Sequence, residues 1–331
     1  MKLALGKGCN VIDTSANYTD GNSEVLIGDV LNKEIVWGDL ARENIVVVSK
    51  AGYIQGENME IALAREDSGD PFPETVKYQQ GLWHCIHPEF LEDQITRSLA
   101  RMHLDTLDVY LLHNPEYFLS HAAHSGSGDL ADNRKEFYDR IYRAFIQMEK
   151  LVQEGLIRYY GISSNSFPYP QEHPEFVSLN TVWEAYLAAC EHSGISADEG
   201  HFAAIQLPFN WIEHQAATEK NNEYQGNALT VLEMAQKLEL GVLINRPLNA
   251  IQQNRLLRLA RISGDEDMDA MNYKAVGRLE EKFDEANPEL KTKLSFSQKS
   301  LLMAGGADGV DVVLNGMRVV DYVADSMGIF Q

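Results

Sequence analysis

The sequence has few of the features that mark secreted, metal-binding or membrane proteins. Its 331 residues include three cysteines, Cys9, Cys85 and Cys190, which lie too far apart for a disulfide framework or a zinc motif. No apolar run approaches the roughly 18–20 residues of a membrane-spanning helix, and the first residues show no cleavage site. A Gly-x-Gly-x-x-Gly motif after a strand is also missing, which argues against a Rossmann domain. We therefore expect a cytoplasmic protein that is not attached to a membrane.

Positive charge is scarce as well. The chain has 28 Lys and Arg residues against 49 Asp and Glu residues, which gives a formal net charge of −21. Nucleic acids and anionic membranes need a basic surface, so neither is an expected partner. The excess of acidic residues favours solubility. A ligand that carries phosphate would have to find a local positive charge, and the composition leaves the oligomeric state open.

The sequence does contain a series of short apolar runs that alternate with helical patterns. The runs are near-continuous, as is typical of strands that are covered on both faces. In one of the helical patterns the apolar residues Phe137, Ile141, Ala144, Phe145, Met148 and Leu151 recur at helical spacing, and in another Leu91, Ile95 and Leu99 do so. The seven runs occupy residues 10–13, 45–50, 107–113, 157–163, 202–206, 241–245 and 311–315. This alternation predicts βα units in a parallel sheet.

The predicted fold class is α/β, a parallel barrel of the TIM (β/α)8 type with seven visible strands. A closed barrel of this type has eight strands, so the pattern predicts that the first βα unit is lacking at the N-terminus. We expect residues 1–331 to form a single barrel domain that is incomplete at this end. Strand edges left without a partner are a liability for folding, so an inactive, truncated barrel is one alternative.

Three long connections follow the C-terminal ends of predicted strands, at residues 52–90, 114–134 and 246–292. Barrel enzymes build their active sites on this face. The first and third connections carry aromatic residues and are candidates for pocket walls. The second is rich in Ser, Gly, His and Asp and fits a disordered segment.

Polar residues lie at the ends of successive apolar runs. Asp13, Lys50, His113 and Gln206 occupy such positions, and Tyr18 follows Asp13 by five residues. Each residue alone is more often structural than functional. In a parallel barrel, however, side chains at the C-terminal strand ends converge on one mouth, so their joint placement indicates a site.

Residues 8–18, followed by Gly21, Ser23 and Glu24, resemble the signature of aldo-keto reductases. That signature has an Asp-Thr-Ala/Ser strand end, a Tyr five residues later, and then Gly and Ser-Glu. The similarity continues at residues 48–50, 108–116 and 155–163, at Gln206, and at residues 314–318. It covers nearly the whole chain in order.

The resemblance implies a catalytic tetrad of Asp13, Tyr18, Lys50 and His113. When a hydride reaches a carbonyl carbon, negative charge builds on the oxygen, and a nearby proton donor lowers the barrier. A free tyrosine, with a pKa of about 10, is a weak acid at neutral pH. Lys50 would favour the phenolate of Tyr18, Asp13 would orient Lys50, and His113 would hydrogen-bond the carbonyl oxygen. The structural alternative for Tyr18 is an ordinary loop tyrosine next to a helix cap.

The resemblance also implies a nicotinamide cofactor, with NADPH favoured because of Arg318 and NADH possible. Ser163-Ser164-Asn165 stands where the family usually has Ser-Asn, so the register at the carboxamide is ambiguous by one residue. Arg246 replaces a serine beside the pyrophosphate, where it would pair with phosphate. Asn245 stands where many members have a stacking aromatic, and Asp325 and Ser326 replace a Glu and an Asn. The expected cofactor-binding residues are Ser163, Ser164, Asn165, Gln206, Arg246, Pro247, Leu248, Gly316 and Arg318.

Candidate residues of the substrate pocket are Tyr53, Trp83, His84 and Trp211, with His87 close by. Aromatic side chains near a barrel mouth suit a small aldehyde or ketone. Trp83 could equally anchor its long connection. His84 and His87 are not read as a metal pair, because no third ligand is apparent.

These expectations define an NAD(P)H-dependent oxidoreductase that reduces an aldehyde, ketone or sugar carbonyl to the alcohol, with Tyr18 as general acid. The alternative is a non-catalytic or slow cofactor-binding regulatory protein on the same fold. That alternative would keep the same four residues. The sequence does not identify the substrate.

Overall fold

A seven-stranded parallel sheet forms the centre of the molecule. The computed structural model describes residues 1–38, 40–252, 255–260, 270–290 and 293–330. In sheet order, which is also chain order, the strands are β1 (Val11–Asp13), β2 (Val46–Ala51), β3 (Leu107–His113), β4 (Ile157–Ser163), β5 (Phe202–Pro208), β6 (Gly241–Asn245) and β7 (Val312–Val313). All neighbouring strands are parallel. The prediction of seven strands in a parallel sheet is therefore confirmed.

Helices connect and flank these strands. They are α1 (Lys2–Gly6), α2 (Asn22–Trp37), α3 (Gly56–Asp67), α4 (Pro88–Met102), α5 (Tyr117–Ser125), α6 (Leu130–Gln153), α7 (Leu179–Ser193), α8 (Gln215–Thr218), α9 (Val231–Lys237), α10 (Ala270–Ala286), α11 (Phe296–Gly305) and α12 (Val320–Met327). Short 3-10 turns lie at Arg42–Asn44, Ala197–Glu199, Pro288–Leu290 and Gly328–Phe330. None of the helices in the described ranges is both long and apolar enough to cross a membrane.

Helix α6 illustrates how the sequence determines an element. The Asp129 side chain accepts a hydrogen bond from the Asp132 backbone N–H and thereby caps the helix N-terminus. The apolar stripe predicted from its spacing is fully buried, including Phe137, Ile141 and Phe145. Each such side chain contributes roughly 1.5–3 kcal/mol through burial.

The central sheet is covered on both faces, which explains its near-continuous apolar strands. On one face, Val47, Leu112 and Ile162 belong to the main core together with buried residues of the helices. On the other face, Val48, Leu111, Ala204 and Leu243 form a separate apolar cluster. In β4, a Cβ at Gly161 would lie 2.0 Å from the Ala204 carbonyl oxygen, so only glycine fits this close approach to β5.

The sheet is open between its first and last strands. Within the described residues, β1 pairs only with β2, and β7 pairs only with β6. Helices α1 and α12 pack against each other at this opening through Ala4, Val323 and Met327. A cavity of about 1100 Å³ runs along both edges and is lined by residues of β1 and of β7. Strand β7 is shorter than the predicted run at residues 311–315.

The three long connections contain secondary structure of their own. Residues 52–90 contribute α3 and a small antiparallel sheet of Tyr53–Ile54, Val76–Gln79 and Leu82–His84. The described parts of residues 246–292 contain α10 and a hairpin of Asn249–Gln252 with Arg255–Arg258.

The expectation of a disordered segment at residues 114–134 is wrong. Helix α5 lies there, and α6 begins within the same segment. Leu119 and Ala122 of α5 are buried, so the apolar residues scattered among its polar ones are enough to dock this helix.

Candidate active site

Strand register puts His113, Ser163 and Gln206 at one level, and Lys50 and Asp13 follow in steps of two residues along the neighbouring strands. Across β3, β4 and β5, His113 pairs with Ser163, and Ser163 pairs with Gln206. On the other side of β3, Lys50 of β2 pairs with Leu111, and Asp13 of β1 pairs with Val48. Because all the strands are parallel, their C-terminal ends meet at the same edge, where the cavity opens.

Lys50 is the centre of a compact polar cluster. Its Nζ donates to Asp13 Oδ2 at 2.7 Å and to the Thr14 carbonyl oxygen at 2.8 Å, and it lies 3.5 Å from the Tyr18 hydroxyl. Burial lowers the pKa of the fully buried Lys50, but the nearby Asp13 and Tyr18 outweigh this effect and raise the pKa overall. Lys50 therefore carries a positive charge next to the phenol at neutral pH.

A tight turn carries Tyr18 back over the end of β1. Thr19 and Asp20 have left-handed backbone angles, with φ of 48° and 55°, and Gly21 follows with φ of 80°. Asp20 Oδ1 accepts a hydrogen bond from the Glu57 backbone N–H at 3.0 Å, which fastens the turn to α3. Left-handed angles at non-glycine residues cost energy and persist only where the surroundings enforce them. The turn leaves Tyr18 37% exposed beside the cavity.

His113 lies between two tyrosine rings. Its ring centroid is 4.6 Å from that of Tyr53 and 5.9 Å from that of Tyr18, edge to face in both cases. Its Nδ1 lies 2.9 Å from Ser15 Oγ. Burial lowers the pKa of His113 well below its usual value, and the positive charge of Lys50 lowers it further. His113 is therefore a neutral imidazole at neutral pH.

Gln206 connects this cluster to the neighbouring strands. Its Nε2 donates to Asp13 Oδ1 at 2.8 Å, and its Oε1 accepts from Ser163 Oγ at 3.1 Å. Asp13 is thus bonded through one oxygen to Lys50 and through the other to Gln206. This arrangement fixes the carboxylate and, through it, the ammonium of Lys50.

Arg246 provides a positive charge on the opposite wall of the cavity. Its Nη2 donates to Glu213 Oε1 at 2.6 Å and its Nη1 to Asn165 Oδ1 at 3.2 Å. Its backbone is left-handed, with φ of 52°. Arg246 Nε and the neighbouring Asn245 Oδ1 are buried without a hydrogen-bond partner, and such atoms in a native site call for a ligand or water.

The cavity collects most of the residues singled out from the sequence. Its lining includes Asp13, Tyr18, Tyr53, His113, Ser163, Asn165, Gln206, Arg246, Pro247, Leu248 and Gly316. Lys50 lies behind this lining, next to Tyr18. Ser164 is buried, with its Oγ accepting from the Ser166 backbone N–H at 3.1 Å, while Arg318 is exposed and adjoins the lining residue Met317.

Three of the proposed pocket residues do not line the cavity. His84 is buried below it and donates from Nε2 to the His113 carbonyl oxygen at 2.7 Å. The Lys77 ammonium lies over the Trp83 ring, 4.6 Å from the ring centroid, and Trp83 packs on the main core. Trp211 packs against Phe283 of α10 in a separate apolar cluster. Tyr53 is the aromatic residue of this set that reaches the cavity.

Glycine at position 52 permits the contact beneath the site. A Cβ there would lie 2.4 Å from the His113 carbonyl oxygen and 2.6 Å from His84 Nε2. Any larger residue would push His84 away from the end of β3. His87 has a different role, because its side chain accepts from the Glu89 backbone N–H and caps α4.

Two acidic residues of the site were not identified from the sequence. Glu213 pairs with Arg246, and no motif distinguishes it from other loop acids. Glu116 is buried beside the Asn165 backbone N–H, from which its Oε1 accepts at 2.9 Å. Burial raises the pKa of Glu116 to about 7, although hydrogen bonds from Asn114 and Asn165 oppose this effect. Its position directly after a strand-end His-Asn-Pro was the available signal.

Comparison with known proteins adds independent evidence. The model of the family described as "Aldo/keto reductase family" matches residues 1–181. The NADH-specific methylglyoxal reductase of Escherichia coli (strain K12) is 26% identical over 179 residues, which are 54% of this chain and 44% of that protein. Aldo-keto reductase family 1 member A1 of Xenopus tropicalis is 28% identical over 60% of this chain and 50% of its own length. The chain thus spans half or less of the length of these curated relatives.

Solved structures support the same fold. An aldo-keto reductase, AKR11C1 from Bacillus halodurans, superposes with a TM-score of 0.57 at 20% identity, covering 100% of this chain and 80% of the other. An aldo-keto reductase from Klebsiella pneumoniae in complex with NADPH gives a TM-score of 0.52 at 18% identity, covering 99% and 76%. At this identity the likeness concerns the fold, and it confirms the predicted TIM-type α/β class. The match over more than half of the sequence shows that this chain belongs to the aldo/keto reductase family.

Proposed function

We propose that this protein reduces small carbonyl compounds with NAD(P)H and that Tyr18 donates the proton. The observation that carries the proposal is the chain Asp13–Lys50–Tyr18, with contacts of 2.7 Å and 3.5 Å at the edge of a large cavity. A buried ammonium beside a phenol favours loss of the phenolic proton, which is what a general acid needs.

A nicotinamide cofactor fits the cavity next to this chain. The cavity volume of about 1100 Å³ is large enough for a ligand of this size, since typical ligand pockets measure about 300–1,000 Å³. Arg246 and Asn245 line it and bring a guanidinium and a side-chain amide to its wall. When bound, the cofactor would supply a hydride to the carbonyl carbon.

Residues of this chain would bind the cofactor and position the substrate. Ser163, Asn165 and Gln206 would hold the carboxamide, and Arg246 would contact phosphate, with Pro247, Leu248 and Gly316 completing the wall. Tyr18 and His113 flank the place where the reacting oxygen would lie, and Tyr53 would contact the substrate. Residues 1–331 would form one barrel-type domain.

NADPH is the proposed cofactor, with NADH as a second possibility. Arg318 adjoins the lining residue Met317 and would reach the adenosine phosphate of NADPH. The relatives include both types by name: the Escherichia coli reductase is NADH-specific, and the Klebsiella pneumoniae structure is a complex with NADPH. A small aldehyde or ketone is the proposed substrate, because aromatic side chains flank the reacting position.

The proposal is tested by following NADPH and NADH oxidation with a panel of aldehydes and ketones that includes methylglyoxal. We expect turnover by the wild-type protein and a loss of about 100- to 10,000-fold in Tyr18→Phe, the usual contribution of general acid catalysis. Tyr159→Phe is a matched control, since this exposed tyrosine lies in the N-terminal half of β4, at the opposite end from the site.

Two outcomes would contradict the proposal. Undiminished turnover in Tyr18→Phe would remove Tyr18 as the proton donor. Tight cofactor binding without turnover on any carbonyl would favour a regulatory protein that binds nicotinamide cofactors.

A further inference from the structure

Glu116 is a buried acid that joins two loops at the cavity. It lies in the turn that follows β3 and is 4% exposed. One of its oxygens, Oε1, accepts hydrogen bonds from Asn114 Nδ2 at 2.7 Å and from the Asn165 backbone N–H at 2.9 Å. Asn114 follows β3, Asn165 follows β4, and both line the cavity. A single carboxyl oxygen therefore links two neighbouring parts of the cavity wall.

The turn after β3 brings Glu116 next to Asn114. Pro115 stands at the second position of this turn, which favours proline because its φ is fixed, and the Tyr117 backbone N–H donates to the Asn114 carbonyl oxygen at 3.1 Å. Asn114 has a left-handed backbone, with φ of 52°, and such an angle persists only where the surroundings enforce it. Two contacts hold Asn114 in place: its backbone N–H donates to the Ser163 carbonyl oxygen at 2.7 Å, and its side chain donates to Glu116.

Asn165 is held from two sides. Its backbone N–H donates to Glu116, and its side-chain Oδ1 accepts from Arg246 Nη1 at 3.2 Å. The neighbouring Ser164 is fully buried, and its Oγ accepts from the Ser166 backbone N–H at 3.1 Å. Of these two neighbours in the sequence, Asn165 is the one that lines the cavity. The bond to Glu116 therefore fixes the register in which this loop faces a ligand.

Glu116 acts on these loops as a hydrogen-bond acceptor more than as a charge. Its second oxygen, Oε2, is buried and has no hydrogen-bond partner within the described residues. Burial raises the pKa of Glu116 to about 7, although hydrogen bonds from Asn114 and Asn165 oppose this effect. At pH 6 the carboxyl is therefore mostly neutral. A side-chain amide offers the same acceptor at the position of Oε1, so glutamine can replace the neutral acid.

We propose that Glu116 is a positioning residue for the cofactor, which holds the loops after β3 and β4 through Oε1 so that Asn165 faces the carboxamide. This inference rests on the proposed function for the identity of the ligand, whereas the hydrogen bond to Asn165 is testable in the free protein. Without the acceptor, two buried donors lose their partner and Asn165 loses its backbone anchor. The bonds of Glu116 go to Asn114 and Asn165, while Tyr18 is contacted by Lys50, so cofactor affinity should fall and proton transfer should not.

The first measurement is hydrogen exchange of the Asn165 backbone amide, recorded by NMR at pH 6 on the ligand-free protein labelled with ¹⁵N-asparagine. The signal of Asn165 is the one that is absent from Asn165→Ser. We expect slow exchange in the wild type and in Glu116→Gln, which keeps the acceptor. Exchange should be at least about 10-fold faster in Glu116→Leu, which has no acceptor. Equal exchange in Glu116→Leu and the wild type would overturn the proposal, whatever the outcome of the turnover assay.

The second measurement is NADPH affinity at pH 6, by fluorescence titration, together with kcat at saturating NADPH. Glu116→Leu should bind NADPH about 10- to 100-fold more weakly than the wild type, because two buried donors lose their acceptor. Its kcat should stay within about 3-fold of the wild-type value, and Glu116→Gln should bind like the wild type. A loss of kcat with unchanged affinity, or an equal loss of affinity in Glu116→Gln and Glu116→Leu, would contradict the proposal.

Glu149→Leu is the matched control. Glu149 is fully buried in α6 and accepts from the Tyr160 hydroxyl at 2.8 Å and from the backbone N–H of His201, which immediately precedes β5, at 2.9 Å. Its loss should destabilise the protein and leave NADPH affinity unchanged, and an equal loss of affinity in both leucine variants would mean that Glu116 acts through stability alone. If Glu116→Leu does not fold, Glu116→Asp, which is shorter by one methylene, should show a smaller loss of affinity in the same direction. A wild-type protein with a protected Asn165 amide that binds neither NADPH nor NADH would support the bond to Glu116 and contradict the proposed function.

Discussion

The two walls of the cavity differ in how completely their polar groups are bonded. On the wall formed by β1, β2 and β3, Asp13, Lys50 and His113 contact each other or nearby groups at 2.7–3.5 Å. On the wall formed by β5, β6 and β7, Arg246 is paired with Glu213, while Arg246 Nε and Asn245 Oδ1 have no partner. The Asp13, Lys50 and His113 side chains of the first wall are held by hydrogen bonds, whereas the second wall keeps two buried polar atoms without a partner.

The part of the chain that matches the family model follows this division only in part. The family model covers residues 1–181, which contain Asp13, Tyr18, Lys50 and His113, whereas Gln206, Arg246 and Arg318 lie outside that match. The match also contains Ser163 and Asn165 of the proposed carboxamide site, so the proposed proton chemistry lies within the match and the proposed cofactor contacts lie on both sides of its boundary. Changes on the first wall should therefore affect turnover, and changes on the second should affect affinity.

The largest expected effect of breaking the first wall comes from Lys50→Met. Removing the ammonium leaves Asp13 with only Gln206 as a partner, and breaking a buried ion pair costs about 3–5 kcal/mol. Turnover should fall by at least about 100-fold, because the site loses the ammonium that lies 3.5 Å from the Tyr18 hydroxyl. Urea denaturation and carbonyl reduction assays measure the two effects.

Lys299→Met is the matched control for this prediction. Lys299 is 3% exposed and pairs with Asp284 and Glu280, away from the polar cluster. Its loss should destabilise the protein to a similar degree and leave the turnover of the folded enzyme near the wild-type value. Equal turnover losses in the two variants would mean that Lys50 acts through stability alone.

Glu116→Gln tests the protonation of a buried carboxyl where β3 meets the proposed carboxamide site. Burial raises the pKa of Glu116 from 4.5 to about 7. At a pH between these two values, the folded protein keeps a proton on Glu116 that the unfolded chain has already lost. The stability that this proton contributes is lost as the pH rises through about 7. Relative to wild type, Glu116→Gln should gain about 3 kcal/mol between pH 5 and pH 8.

The control for this pH dependence is Glu154→Gln, at an exposed position after α6. Its free energy of unfolding should follow that of the wild type at both pH values. A Glu116→Gln variant that also follows the wild type across this range would mean that the Glu116 carboxyl is ionised in the folded protein.

A smaller effect is expected from Glu213→Gln on the second wall. Glutamine keeps an oxygen for the Ile251 backbone N–H, which lies 3.1 Å from Glu213 Oε2, but it no longer neutralises Arg246. The freed guanidinium should bind NADPH about 3- to 10-fold more tightly, or about 1 kcal/mol, with a steeper dependence on salt. Weaker binding would place Arg246 away from phosphate.

The sequence predicted the first wall better than the second for physical reasons. The strands of the sheet are near-continuous apolar runs. Asp13, Lys50 and His113 stand at or next to their C-terminal ends, and Tyr18 follows Asp13 by five residues. Glu213 and the left-handed Arg246 depend on the path of a loop, which local patterns do not determine. Trp211 shows the same limit, because its ring packs against Phe283, which lies far away in the sequence.

The long connections, like the second wall, were predicted less well than the strands. The segment at residues 114–134 has polar composition, yet α5 docks through a few buried residues such as Leu119. The contact between Ser15 and His113 joins residues 98 positions apart, and no local pattern predicted it.

Hydride transfer across the cavity is the central claim, and isotope transfer tests it most directly. NADPH with deuterium in place of both hydrogens at C4 of the nicotinamide is incubated with the protein and methylglyoxal or another aldehyde, and the alcohol is analysed by mass spectrometry. We predict one deuterium on the former carbonyl carbon in the wild-type reaction and at most traces of labelled product with Tyr18→Phe. Alcohol formed without the label, or labelled equally by both proteins, would contradict the account.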